Sequence, residues 1–115
     1  MQQFAVSPEF FCDVRRDQER VVVRVVGELD FAVAAHVAET LDELLEGGSS
    51  RVVVDLKGLD FMDSAGVHML VSAHHAARRR GCALSLIRGS RNVDRVFRLT
   101  RTDSLFAVAD VPGGV

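Results

Sequence analysis

The 115-residue chain contains neither tryptophan nor tyrosine, only two prolines and two cysteines, and no long hydrophobic run. Proteins that read RNA or single-stranded DNA stack bases on aromatic side chains. No such platform accompanies the basic side chains of this chain, which predicts no direct nucleic acid partner. No apolar stretch approaches the ~20 residues of a membrane span, and the N-terminus has neither the charged nor the apolar region of a secretory signal. These absences predict a cytoplasmic protein that does not contact a membrane.

The two cysteines, Cys12 and Cys82, lie far apart and in no metal-ligand spacing. Both have the apolar neighbours typical of strands, which favours thiols packed as small hydrophobic side chains over a buried disulfide or a redox role. The histidines and acids also lack the spacing of a metal-binding motif. The sequence therefore predicts no metal site.

Composition and length suit one small soluble domain, with 48% apolar and 26% charged residues. The net charge of −2 is unevenly distributed along the sequence. Residues 1–63 contain 6 basic and 13 acidic side chains, whereas residues 64–115 contain 8 basic and 3 acidic side chains. Arg91, Arg95 and Arg98 are spaced to form one face of a predicted helix. We interpret that row as a solvated surface, with docking of an acidic partner or nucleic acid as the alternative.

Hydrophobic periodicity and turn residues predict an α/β domain, with a mixed sheet of about four to five strands and helices packed on it. Strand–helix–strand order in the middle of the chain indicates a parallel βαβ unit with a right-handed crossover. The predicted strands cover residues 9–15, 21–26, 51–56, 82–87 and 105–108, and the predicted helices cover residues 30–46, 64–80 and 92–99. On the first helix an apolar stripe is predicted from the spacing of Val33, Val37, Leu41 and Leu44. A single domain then spans residues 1–115, with its core at about 9–109 and a flexible tail at 110–115.

Two segments that follow predicted parallel strands, residues 27–30 and 60–66, are expected to meet at one edge of the sheet. Binding sites of α/β folds lie beyond the carboxyl ends of such strands. Asp30 is a good N-cap for the first helix, and Glu28 lies on the same rim. This edge of the sheet is the predicted site.

The second helix is predicted to begin at Ser64, close to unpaired backbone amides and the positive end of the helix dipole, an environment that favours a phosphate. Phe61 and Met62 are expected to anchor the preceding loop. Gly66 weakens the helix start, which suggests that a partner approaches the backbone there. The simpler alternative is that Ser64 serves only as an N-cap.

A serine hydrolase is the enzymatic alternative, but its requirements are not met. Ser64 would need a general base and an oxyanion hole, and the histidines fall in predicted helices, with His68 several residues from it. No Gly-x-Ser-x-Gly elbow occurs, and no Gly-Lys-Ser/Thr phosphate loop follows the Gly-Gly-Ser at residues 47–49. We therefore predict no catalytic residues and no enzyme activity.

Three sequence segments together resemble the STAS domain, and within it the anti-sigma factor antagonists of bacterial sporulation and stress signalling. They are Gly-Glu-Leu-Asp at residues 27–30, Val-Val-Val-Asp-Leu at 52–56 and Phe-Met-Asp-Ser-Ala-Gly-Val at 61–67. The likeness runs from about residue 9 to residue 109, with strands and helices in the same order. The third of these segments is the most specific.

The resemblance implies a phosphorylation switch at Ser64, which directly follows Asp63. In these antagonists that serine is phosphorylated by a kinase that is also the anti-sigma factor; the unphosphorylated antagonist binds this kinase and frees the sigma factor for transcription. A metal-dependent serine phosphatase then resets the antagonist. ATP and magnesium belong to the kinase, so no cofactor is expected here. The chain departs from many relatives at Ala65, where they carry a second hydroxyl. The expected partner-binding residues are Glu28, Asp30, Asp63, Ser64, Ala65 and Gly66.

STAS domains also act without a switch, as scaffolds or interaction modules in stress-signalling or lipid-trafficking complexes. This alternative has the same fold, but phosphorylation of Ser64 plays no role in it. A bound kinase together with phosphate on Ser64 would favour the antagonist. In either case we expect a monomer or a weak dimer.

Overall fold

The computed structural model describes residues 2–7, 9–17 and 19–109. Within these ranges the chain forms six strands and three helices around one mixed sheet. In chain order the elements are β1 (Gln2–Ser7), β2 (Phe10–Asp17), β3 (Arg20–Leu29), α1 (Phe31–Glu46), β4 (Arg51–Met62), α2 (Ser64–Arg79), β5 (Ala83–Ile87), α3 (Arg91–Leu99) and β6 (Ala107–Val108).

Strand order in the sheet follows the sequence, β1-β2-β3-β4-β5-β6. β1, β2 and β3 pair antiparallel, whereas β3, β4, β5 and β6 pair parallel. The predicted α/β fold with its mixed sheet and parallel βαβ unit is confirmed. Because β3 and β4 are parallel neighbours, the chain leaves both strands at the same edge and enters α1 and α2 side by side.

The structure extends the sheet beyond the sequence prediction in two respects. β1 adds a strand that the sequence did not predict, and it pairs at the edge against β2. β3 and β4 run on to Leu29 and Met62, past the predicted ends, with register shifts between Arg24/Val26 and Gly27/Glu28. Such irregularities break the period-two pattern on which strand prediction depends. The tail predicted at residues 110–115 lies outside the described residues.

The hydrophobic core lies between the sheet and the helices. α1 buries Val33, Val37 and Leu41, as the predicted apolar stripe requires. Ala34 and Leu45 are buried as well, whereas Leu44 of the predicted stripe is only half-buried. A second, small cluster on the opposite face of the sheet comprises Val22, Val53 and Ile87. Burial of β3 and β4 on both faces explains their almost uninterrupted valine runs.

Both cysteines are buried free thiols, as predicted. Burial raises the pKa of the Cys12 thiol to about 11, and it also raises the pKa of the Cys82 thiol. Thiols with raised pKa values stay protonated near neutral pH and are poor nucleophiles. Both cysteines therefore act as core side chains. No helix in the described part of the chain combines the length and the apolar character that crossing a bilayer requires.

Candidate functional site

Two strand-to-helix junctions stand next to each other at the carboxyl edge of β3 and β4. Leu29 at the end of β3 is in register with Met62 at the end of β4, so the following residues, Asp30 and Asp63, are neighbours. The backbone amide of Asp63 donates a hydrogen bond of 3.2 Å to the Leu29 carbonyl. The structure thus brings together residues 27–30 and residues 60–66, as predicted.

Asp30 caps α1, as predicted. Its backbone is extended, with φ −110° and ψ −178°, and its Oδ1 atom accepts a hydrogen bond of 3.2 Å from the amide of Val33. An aspartate in this position satisfies an otherwise unpaired amide and places negative charge at the positive end of the helix dipole. The junction between β3 and α1 is therefore stabilised by the side chain of Asp30.

Asp63, rather than Ser64, is the N-cap of α2, and it also reaches across to α1. Its Oδ1 atom accepts hydrogen bonds from the amides of Ala65 at 3.0 Å and Gly66 at 3.2 Å. Its Oδ2 atom accepts a hydrogen bond of 3.2 Å from the amide of Phe31, the first residue of α1. One carboxylate therefore joins the starts of both helices.

Ser64 is the first helical residue of α2 and is exposed. The prediction that it caps the helix is wrong, because the neighbouring Asp63 takes that role. The amides of Ala65 and Gly66, expected to be free for a phosphate, already bond the Asp63 carboxylate. The helix dipole still favours negative charge at Ser64, but a phosphate there would have to keep most of its contacts with water.

The other predicted partner-binding residues differ in accessibility. Glu28 is exposed, Ala65 is half-buried and Gly66 is buried. A Cβ atom at Gly66 would lie 2.7 Å from Cγ of Met62 and 3.1 Å from Cγ of Leu29. Close packing of the first turn of α2 over these two side chains explains the glycine, so the interpretation that it keeps the backbone accessible to a partner is wrong. Gly66 supports the surface from beneath.

Two phenylalanines at these junctions face solvent. Phe61 is 47% exposed, contrary to the prediction that it anchors the loop, whereas Met62 is buried as predicted. The reason is that residue 61 still belongs to β4, and successive side chains of a strand point to opposite faces. Phe31 is 82% exposed and is not among the site residues predicted from the sequence. A signal was present, because Phe31 directly follows the cap and lies off the stripe that starts at Val33.

The basic row on α3 is placed as the helical spacing predicted, with Arg91, Arg95 and Arg98 all exposed. Asp94 on the same helix forms an ion pair of 3.8 Å with Arg88. The exposure agrees with the interpretation of this row as a solvated surface, and docking of an acidic partner or nucleic acid stays the alternative prediction. Among the described residues, no three or more histidine, cysteine, aspartate or glutamate side chains cluster in a way that could hold a metal ion.

The fold and the paired helix starts define a small α/β module with an exposed serine at its carboxyl edge. The STAS domain model matches residues 12–112, and the chain belongs to the STAS domain family.

Curated relatives in this family are named anti-sigma-B factor antagonists. The protein from Listeria monocytogenes is 31% identical over 100 residues, covering 85% of this chain and 86% of the relative. The protein from Bacillus subtilis is 29% identical over 104 residues, covering 90% and 94%. In both cases the match covers at least 85% of each protein.

Solved structures show the same fold at lower sequence identity. The unphosphorylated anti-sigma factor antagonist SpoIIAA superposes with a TM-score of 0.73 at 22% identity, over 85% of this chain and 87% of that one. An anti-sigma factor antagonist from Mycobacterium paratuberculosis gives a TM-score of 0.77 at 20% identity, over 91% and 90%. These likenesses support the STAS fold.

Proposed function

We propose that this protein is an anti-sigma factor antagonist whose binding to its partner is controlled by phosphorylation of Ser64. The observation that carries the proposal is the position of Ser64, exposed at the first residue of α2 directly after Asp63. Curated relatives with the antagonist name match over most of their length, which supports a regulatory binding protein rather than an enzyme. We expect the chain to act in the cytoplasm, as a monomer or weak dimer.

The proposed cycle divides the chemistry between the chain and its partners. Unphosphorylated chain binds an anti-sigma factor that is also a serine kinase, and this binding frees a sigma factor. The kinase supplies ATP and magnesium, so the chain contributes an acceptor hydroxyl and a docking surface and no catalytic group. A metal-dependent serine phosphatase removes the phosphate and restores binding. The partner surface comprises Glu28, Asp30, Asp63, Ser64 and Ala65, with Gly66 packed below it.

The arrangement around Ser64 gives a physical reason why phosphorylation would end binding. A phosphate adds about −1.5 to −2 charges directly beside Asp63, whose carboxylate already holds the nearest amides. With those donors engaged, the phosphate depends on water, and burying it under a partner costs several kcal/mol per charge. Exposed ion pairs between the phosphate and the edge of the partner would contribute only ~1 kcal/mol or less. The cost of desolvating the phosphate therefore exceeds the gain from these ion pairs. Phosphorylation can weaken binding in this way without a change in the fold of the domain.

Substitutions at Ser64 test this proposal directly. The source organism's anti-sigma factors are purified as a panel, and their affinity for each variant is measured without ATP so that no phosphorylation occurs. We expect Ser64→Ala to bind one panel member like the wild type, and Ser64→Asp to bind it at least about tenfold more weakly. Aspartate imitates only part of the charge and bulk of a phosphate.

Ser50 provides the matched control, because it is exposed beside the start of β4, at the opposite edge of the sheet. Ser50→Asp adds the same charge far from the site, and we expect wild-type affinity. If Ser64→Asp and Ser50→Asp both bind like the wild type, the switch is refuted and a non-switching STAS scaffold becomes the better description. If the wild type binds no panel member, the antagonist role itself is refuted.

A further inference from the structure

The strand-to-helix junctions near Ser64 carry two exposed aromatic side chains. Phe31 is 82% exposed and Phe61 is 47% exposed. Single exposed apolar residues are common, but large apolar side chains grouped at one place on a small domain mark an interaction surface. We refer to Phe31, Phe61, Glu28, Asp60 and Ser64 as the aromatic–acidic face.

Backbone geometry places the two phenylalanines at neighbouring strand-to-helix junctions. The amide of Phe31 bonds Oδ2 of Asp63, and Asp63 stands two residues after Phe61 in the chain. Phe61 is itself in register with Glu28 of the neighbouring strand. The two aromatic positions therefore belong to adjacent junctions, and the carboxylate that caps α2 fixes the start of the helix that carries Phe31. Ser64 follows that carboxylate directly.

The charges of this face are of one sign. Glu28 and Asp60 are exposed, and residues 27–31 and 58–66 contain no lysine or arginine. A complementary partner would present an apolar pocket with lysine or arginine side chains around it. A second copy of the chain fits poorly, because a symmetric contact through this face would bring its acids against each other.

We infer that Phe31 and Phe61 are the apolar anchors that dock the chain on a basic-rimmed pocket of the anti-sigma factor, with Ser64 in the desolvated centre of the contact. The inference rests on the proposed function and extends it to the residues that hold the complex together. Buried aromatic side chains typically dominate the energy of an interface, whereas charges around them mainly accelerate encounter. Phosphate on Ser64 then acts at the point where the contact excludes water.

The test measures association and dissociation rates with the panel member that the wild type binds. We expect Phe31→Ala to weaken binding by about 20-fold, chiefly through faster dissociation. We expect Phe61→Ala to act in the same direction and Phe31→Leu to recover part of the loss. The high exposure of Phe31 means that its truncation should leave the free energy of unfolding unchanged, which urea unfolding verifies.

Leu99 is the matched control, since it is 71% exposed on α3, outside this face. Leu99→Ala is expected to bind like the wild type.

The double variant Glu28→Gln/Asp60→Asn should slow association and reduce its dependence on salt, with dissociation nearly unchanged. If Phe31→Ala binds with wild-type affinity, the role of the phenylalanines as anchors is refuted, while the Ser64 switch is unaffected. If the charge variant associates faster than the wild type, or if its salt dependence is unchanged, the basic rim of the partner is refuted. If the wild type forms a dimer that Phe31→Ala does not form, the partner of this face is a second copy of the chain, and the assignment to the anti-sigma factor is refuted.

Discussion

Replacing Gly27 with alanine is expected to lower the free energy of unfolding by about 4 kcal/mol. Gly27 has φ +111°, which side chains disfavour, and a Cβ atom there would lie 1.9 Å from the carbonyl oxygen of Glu9. Neither backbone can move away without disturbing the pairing of Phe10 with Gly27 that joins β2 and β3. Strain and overpacking therefore add, and urea unfolding at 25 °C measures the sum.

Gly48 separates the two contributions. It also has a positive φ, of +84°, but a Cβ atom there would meet nothing within 4 Å. We expect Gly48→Ala to cost only about 1 kcal/mol, the conformational part alone. Equal losses at Gly27 and Gly48 would contradict the account, because they would mean that the close approach to Glu9 carries no energetic weight.

Replacing Asp63 with alanine is expected to lower the free energy of unfolding by about 3 kcal/mol, more than an ordinary N-cap. The substitution frees the amides of Ala65 and Gly66 and also removes the acceptor of the Phe31 amide. Two helix starts lose a negative charge at once, since the carboxylate serves both. Urea unfolding of the purified variant gives the value.

Two further variants divide this loss between the two helices. Asp30→Ala removes a single capping bond, to Val33, and is expected to cost about 1 kcal/mol. Asp63→Asn keeps an oxygen to cap α2 but places an amide group opposite the Phe31 N–H, so an intermediate loss is expected. If Asp63→Ala costs no more than Asp30→Ala, the bond to Phe31 does not stabilise the junction.

Local patterns were enough to predict the elements that build the site. Asp30 as a cap and the stripe from Val33 to Leu41 depend on residues close in sequence, and both are confirmed. The meeting of residues 27–30 with residues 60–66 followed from the parallel βαβ order and is also confirmed. Periodicity and connection rules therefore located the edge of the sheet at which Ser64 stands.

Details that depend on distant contacts could not be predicted. Asp63 and Ser64 are both favourable N-caps, and the bond that engages the second oxygen of Asp63 comes from Phe31, 32 residues away. The direction of the Phe61 side chain depends on how far β4 extends. The extent of β4 depends in turn on the register shifts between β3 and β4. The contacts that require glycine at position 66, with Met62 and Leu29, are tertiary, so they are not visible in the sequence. In each case the deciding neighbour lies on another element.

The most direct test of the switch is the affinity of the chain carrying phosphoserine at position 64. The phosphorylated and unmodified chains are titrated against the anti-sigma factor that the wild type binds, before and after phosphatase treatment. We expect phosphorylation to weaken binding by at least about 100-fold, and removal of the phosphate to restore it. Binding of the phosphorylated chain within twofold of the unmodified chain would contradict the phosphorylation switch.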